Sequence, residues 1–213
     1  MEVMERAEPR FTLPTPIAWR LDGGHDQVVV LRGISWAQYD AIHRAKGDDR
    51  SPVIAYLDGE LEIVTTSMRH EFVKKLLARL VEVYAEEAEL RFNGFGMATF
   101  RKKARRAGAE PDECYILRKG GKVPDLVIEI VFTSGGVDKL EIYRRLGVAE
   151  VWFWIDGKIL VYRLVKGAYQ ERTASLALSK LDLASVERII TTTDDEDQTE
   201  AVRAFRRSLT SGG

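Results

Sequence analysis

Apolar residues recur every three to four positions through Phe72, Val73, Leu76, Leu77, Leu80, Val81 and Tyr84. That is the period of one buried helix face, so a long amphipathic helix is predicted from Ser67 onward, packed on a sheet. Just before it, VIAYLDGELEIV is two β-prone runs joined at Asp58-Gly59. This dipeptide tolerates the positive φ of a tight turn and predicts a hairpin. Upstream, QVVVLRG reads as a short strand behind an irregular arm, residues 1–26, that contains Pro9, Pro14, Pro16, Gly23 and Gly24. Between strand and hairpin, Ser35 is placed to cap a short helix carrying Trp36, Tyr39, Ile42 and His43 at helical spacing, which KGDDRS ends.

After the long helix, LRFNGFG, DECYIL and PDLVIEIVF read as three strands, separated by the basic stretch RKKARR and the turn RKGGK. DKLEIYRRLGV follows as a short helix with Lys139, Ile142, Tyr143 and Leu146 on one stripe and Gly147 as its stop. EVWFWI, KILVYRL and AYQER then form a meander through Asp156-Gly157 and Lys166-Gly167 turns. The acidic run DDED and the amphipathic TEAVRAFRRSL close the chain. The order predicts a mixed α/β domain, a central mixed sheet flanked by helices with an N-terminal hairpin extension, rather than regular βαβ alternation. A single domain over 1–213 is expected, with its main body at 27–190 and the acidic run and C-terminal helix at 191–213.

The chain has 213 residues, 45% of them apolar, with 32 Lys and Arg against 33 Asp and Glu. That length supports a sizeable core without metal or disulfide staples, and the balanced 31% charge excludes an intrinsically disordered chain. The lone Cys114 cannot form an internal disulfide, and MEVMERAEPR carries acids where a secretory signal needs an apolar stretch. The cytoplasm is the expected compartment, and no apolar run reaches the ~20 residues that span a bilayer. A net charge of −1 gives no global attraction to nucleic acid, so such binding would need a local patch.

Chemistry concentrates near the PDLVIEIV strand. Side chains alternate there, so Leu126, Ile128 and Ile130 face one side while Asp125, Val127, Glu129 and Val131 face the other. Glu129, inside an apolar run, must be exposed at an edge, paired with Lys or Arg, or bound to a cation, because burying it alone costs several kcal/mol. Asp112, flanked by Glu110 and Glu113, begins the preceding strand. Carboxylates from adjacent strands suit a hard divalent ion. Lys139 shares its stripe with apolar residues, so its amine points back toward the sheet. Two carboxylates and an ammonium at one strand end match phosphodiester hydrolysis, in which a metal acidifies water and a cation stabilises the phosphorane.

The series ISWAQYDAI, AYLDGELEIV, SMRHE, ATFRKK, EPDECYIL, PDLVIEIV and DKLEIYRRLGVAEVWFW, over roughly residues 32 to 190, resembles the Uma2 or DUF820 family of the PD-(D/E)XK restriction-endonuclease-like superfamily. The resemblance implies that fold, a Mg²⁺- or Mn²⁺-dependent endonuclease acting on DNA, and a homodimer. It makes Asp112 the first metal-binding acid and Glu129 the second, and matches Glu60 and His70 to further polar motif positions. One departure is that the superfamily's lysine two residues after the second acid is Val131 here, which leaves Lys139 to supply the charge. A non-catalytic module binding nucleic acid or protein on the same fold is the alternative.

Other features have two readings. His70, on the first turn of the long helix, could neighbour the metal or act as a general base, or simply bond nearby backbone. Arg101, Lys102, Lys103, Arg105 and Arg106 could grip phosphates or form a solvated loop. Asp125 also fits a strand-start turn. Trp152 and Trp154 fit core packing better than base stacking.

Overall fold

The structure is a computed structural model and describes residues 25–133, 136–193 and 197–210. Residues 1–24 of the arm and most of the acidic run lie outside the described residues. Eleven strands form two sheets among the described residues. Strand β1 (Gln27–Arg32) leads to α1 (Trp36–Lys46), the hairpin β2 (Val53–Leu57) and β3 (Glu60–Thr65), and the long α2 (Met68–Glu87). Next come β4 (Asn93–Gly94), β5 (Phe100–Lys102), β6 (Ala107–Ala109), β7 (Glu113–Ile116) and β8 (Leu126–Val131). The chain then runs through α3 (Lys139–Leu146), β9 (Glu150–Ile155), β10 (Lys158–Val165), β11 (Ala168–Arg172), α4 (Leu183–Thr192) and α5 (Gln198–Thr210).

The local signals act as their chemistry requires. Ser35 and Gln38 form a capping box at α1, and Ser67 caps α2. Asp58 and Gly59 take positive φ in the hairpin turn, and Gly147 ends α3 in the left-handed conformation. The strands divide differently from a single central sheet. The hairpin belongs to its own antiparallel sheet, ordered β1-β3-β2-β6-β5, and the second sheet runs β11-β10-β9-β8-β7-β4. Expected LRFNGFG shrinks to the two-residue β4, while RKKARR, read as a connection, supplies β5 and a 3₁₀ turn leading into β6. Strand β6 is Ala-Gly-Ala, too short and too weakly apolar to announce itself. Helix α4 was likewise unforeseen, although its Leu183, Val186 and Ile190 are buried.

The second sheet is covered on both faces, which is why β8 and β9 are nearly all apolar. Leu126, Ile128, Ile130, Trp152 and Trp154 meet Leu76, Leu80, Val186 and Phe205 of α2, α4 and α5. Both tryptophans are therefore core residues. On the other face Val127, Val151 and Phe153 meet Ile142, Tyr143 and Leu146 of α3. Strands β8 and β9 are the parallel pair, and α3 is their crossover. Helix α3 also contacts β6 and packs with Ala55 and Ala107, so it lies where the two sheets meet. Arg145 of α3 clamps the hairpin turn, its Nη2 2.5 Å from Asp58 Oδ2. Tyr39 of α1 packs with Ile54, Tyr56 and Leu61 on the hairpin sheet. No helix among the described residues is long and apolar enough to cross a membrane.

Candidate active site

The antiparallel register of β7 on β8 pairs Glu113 with Ile128 and Cys114 with Val127. One step further, it sets Asp112 across from Glu129. Asp112 Oδ2 accepts the Ile130 amide at 2.8 Å, which ties the first acid to the strand of the second. Alternation along β8 turns Glu129 toward α3, where Lys139 Nζ donates to its Oε2 at 2.7 Å and the Tyr143 hydroxyl donates to Oε1. Lys139 occupies the first turn of α3, behind its N-cap Asp138, which accepts the Glu141 amide. The structure thus brings Asp112, Glu129 and Lys139 together.

His70 joins them from α2. Its Nε2 lies 3.0 Å from Asp112 Oδ1 and its Nδ1 2.7 Å from Asp26 Oδ2, while Asp26 Oδ1 also accepts the Ser67 amide. Burial alone would lower the His70 pKa, but hydrogen bonds and charge from Asp112 and Asp26 outweigh it and raise it to about 9. His70 is therefore an imidazolium at neutral pH that holds Asp112 in place, and has no free nitrogen with which to take a proton. Burial works to raise Asp112, yet the His70 bond, the charges of His70 and Lys139 and the Ile130 amide hold it below the usual carboxylate range. Glu129 moves the other way, since burial, reinforced by Asp112, exceeds what Lys139 and Tyr143 return. Carboxylates around Lys139 overcome its burial and raise its pKa.

Glu60 is not brought in. It faces solvent and pairs with Arg32 at 3.1 Å. The hairpin acid that reaches the site is Glu62, two residues later on the same face of β3 but further from the turn. It is 3% exposed, accepts the Val137 amide at 2.8 Å, and lies 3.6 Å from Lys139 Nζ. A Cβ at Gly136 would lie 1.6 Å from Glu62 Oε2, so a side chain there would displace the Glu62 carboxylate from its present position. Glu62 and Asp26 were missed by sequence reasoning. For Glu62 the signal existed, because an acid between Leu61 and Ile63 in an apolar strand poses the same burial problem as Glu129.

The remaining acids and bases have structural work. Asp125 accepts the Leu117 and Arg118 amides and pairs with Arg118. Glu110 accepts the Ile54 amide and pairs with Lys46. In the basic run, Arg101 pairs with Asp40 and Arg106 with Asp58. Burial pushes the Cys114 thiol up to about 12, which makes it inert.

With its carboxylates ionised, Asp26, Glu62, Asp112 and Glu129 outweigh His70 and Lys139 by two charges. Among the described residues no group of three or more His, Cys, Asp or Glu side chains is arranged to enclose a metal. Mg²⁺ is usually held through one or two carboxylates and keeps several waters. Each oxygen of Asp112 and Glu129 accepts one bond here and retains a lone pair for a cation. The donor chemistry therefore fits a divalent ion whose charge would cancel the excess.

A mixed sheet and an antiparallel sheet meeting around an acid pair and a lysine fit a restriction-endonuclease-like fold. Residues 36–194 match the Uma2 family, described as “Putative restriction endonuclease”, and the chain belongs to that family. At the level the family supports, it is a nuclease. A crystal structure from Anabaena variabilis ATCC 29413, described as “a putative nuclease belonging to DUF820”, aligns over 69% of this chain and 96% of its own, with a TM-score of 0.51 and 13% identity. That likeness is one of fold. No curated protein matches the sequence.

Two outcomes follow from the electrostatics. Lys139→Met strips a buried carboxylate of its cation, which destabilises proteins by about 3–5 kcal/mol. The lower end is expected because the lysine side chain is 20% exposed. Adding Glu129→Gln should recover most of the loss in urea unfolding, and a purely additive double variant would refute the coupling. The second outcome concerns pH. With a folded pKa raised from 6.5 to about 9, His70 contributes stability that is complete below about pH 6.5 and disappears as pH rises through about 9. The difference in unfolding free energy between wild type and His70→Gln should shrink by on the order of 3 kcal/mol over that window. A pH-independent difference would contradict it.

Proposed function

We propose that this chain is a divalent-metal-dependent endonuclease that hydrolyses DNA phosphodiester bonds. The observation that supports it most directly is the convergence of Asp112, Glu129 and Lys139 from the start of β7, the middle of β8 and the first turn of α3. Asp112 and Glu129 would hold Mg²⁺ or Mn²⁺, which supplies a water acidified toward neutral pH and a Lewis acid for the phosphate oxygen. Lys139 stands in for the lysine that Val131 replaces. Its ammonium, steadied by Glu129 and Glu62, is placed to stabilise negative charge on a phosphorane held at Asp112. The imidazolium of His70 and the Ile130 amide preset the Asp112 carboxylate, so little reorganisation remains for the reaction.

The runner-up, a non-catalytic module, is separated by metal. Calorimetric titration of the protein with Mn²⁺, in the absence of DNA, should give saturable binding that Asp112→Asn and Glu129→Gln each remove. The same substitutions should lower Mn²⁺-dependent DNA cleavage by about 10²-fold or more, the scale of losing one electrostatic stabiliser. Wild-type cleavage in either variant would sink the assignment, and absence of Mn²⁺ binding to wild type would favour the module.

A further inference from the structure

Two cavities meet at Asp112. The one of about 360 Å³ opens between the sheets; Val64, Phe132, Ile155 and Tyr162 give it a mainly apolar wall, beside which Asp26, Glu62, Asp112 and Asp138 outnumber His70 and Lys139 and so disfavour a phosphate. The other, about 880 Å³, is polar and runs along α2 past Lys75 and Arg79 to Glu82 and Glu113. Val53, Thr66 and Asp112 belong to the walls of both. A chain-like substrate crossing Asp112 therefore has an apolar space on one side and a polar groove on the other.

This arrangement constrains the substrate, given the phosphodiester chemistry proposed above, on which the inference rests. A nucleic-acid backbone carries a charge at every phosphate, so the part of it that an apolar cavity accepts is a base. A base in a duplex is covered on its faces by stacked neighbours and on its edge by its partner, and it reaches an internal cavity only by leaving the stack. The apolar cavity lies within the roughly 300–1,000 Å³ of small-ligand sites, and the Phe132 and Tyr162 rings offer the surface on which unpaired bases stack. The polar groove is no uniform cation tract either. Lys74 in its wall is tied to Glu71 at 2.6 Å and Lys46 to Glu110 at 3.2 Å, which leaves Arg50, Lys75 and Arg79 for phosphates. Glu113, 8% exposed, faces the same groove, where a carboxyl group can meet the exocyclic amine of a base.

We infer that the substrate is a DNA strand unpaired at the point of cleavage, with one nucleobase in the apolar cavity, the scissile phosphate at Asp112 and the flanking nucleotides along α2. The discriminating experiment uses the full chain and two readouts. In the first, Mn²⁺-dependent cleavage is compared on a single-stranded oligonucleotide, the same sequence as a blunt duplex, and a duplex with a central unpaired bulge. In the second, without metal, a single strand carrying 2-aminopurine at successive positions is titrated with protein and its emission is followed.

The single strand and the bulge should be cut at least about tenfold faster than the blunt duplex, and 2-aminopurine emission should change at one position only. Val64→Phe, which fills the cavity, and Phe132→Ala, which removes a stacking ring, should each abolish that change or weaken it about tenfold. Thermal melting checks that both variants fold, and the second serves if the first does not. A blunt duplex cut as fast as the single strand would overturn this inference and leave the nuclease reading standing. No cleavage of any substrate would count against the nuclease reading, and the 2-aminopurine titration would then decide the binding site by itself. Uniform emission along the strand, or a change unaffected by both variants, would overturn it.

Discussion

Burying a carboxylate in the middle of a sheet covered on both faces costs several kcal/mol unless cations and hydrogen bonds replace its water, and Glu129 of β8 is buried to 1% exposure. The elements around it are disposed to meet that demand. Helix α3 starts at Lys139 so that one turn spans from the ammonium to Tyr143, and both donate to the same carboxylate. The hairpin sheet closes over α3 through Asp58 and Arg145, and sends Glu62 to the far side of the lysine. One buried charge thus couples the two sheets, and the group that compensates it is also the group best placed to act on a substrate.

Other buried carboxylates show what a structural solution looks like. Glu150 is 2% exposed and accepts from the Trp152 indole, the Ser175 hydroxyl and the Leu176 amide. Glu110 is satisfied by an amide, a lysine and a threonine. Each accepts from at least three donors, and none of these bonds involves a second acid. Around Asp112 and Glu129 the acids outnumber the cations, and burial, reinforced by the charge of Asp112, raises Glu129. Protein interiors rarely tolerate such an imbalance for stability alone. Functional sites do, because a ligand completes them.

Legibility in the sequence followed the range of each interaction. The α2 stripe and its start near Ser67, the Asp58-Gly59 turn, the Ser35 cap and the Gly147 stop were readable because each depends on residues within a few positions. Glu129 and Lys139 were readable as anomalies, a charge inside an apolar strand and an amine on an apolar stripe. Strand β6, Ala-Gly-Ala, was not, since its β state comes from pairing with β2 and β5. Helix α4 was passed over although three of its apolar residues pack into the main core.

What the sequence determined by itself was the set of local elements and the identity of the problem residues, because periodicity, caps and turns act through neighbouring peptide units. Tertiary structure decided which acids meet. The β7–β8 register set Asp112 opposite Glu129, and the docking of the hairpin sheet chose Glu62 over Glu60, two acids on one face of β3 of which Glu60 lies beside the turn with Arg32 and Glu62 is covered and reaches Lys139. His70 became a bridge between Asp26 and Asp112 only because α2 laid its first turn across both. Charge acts through space, and the distances that set it exist only after the sheets have packed.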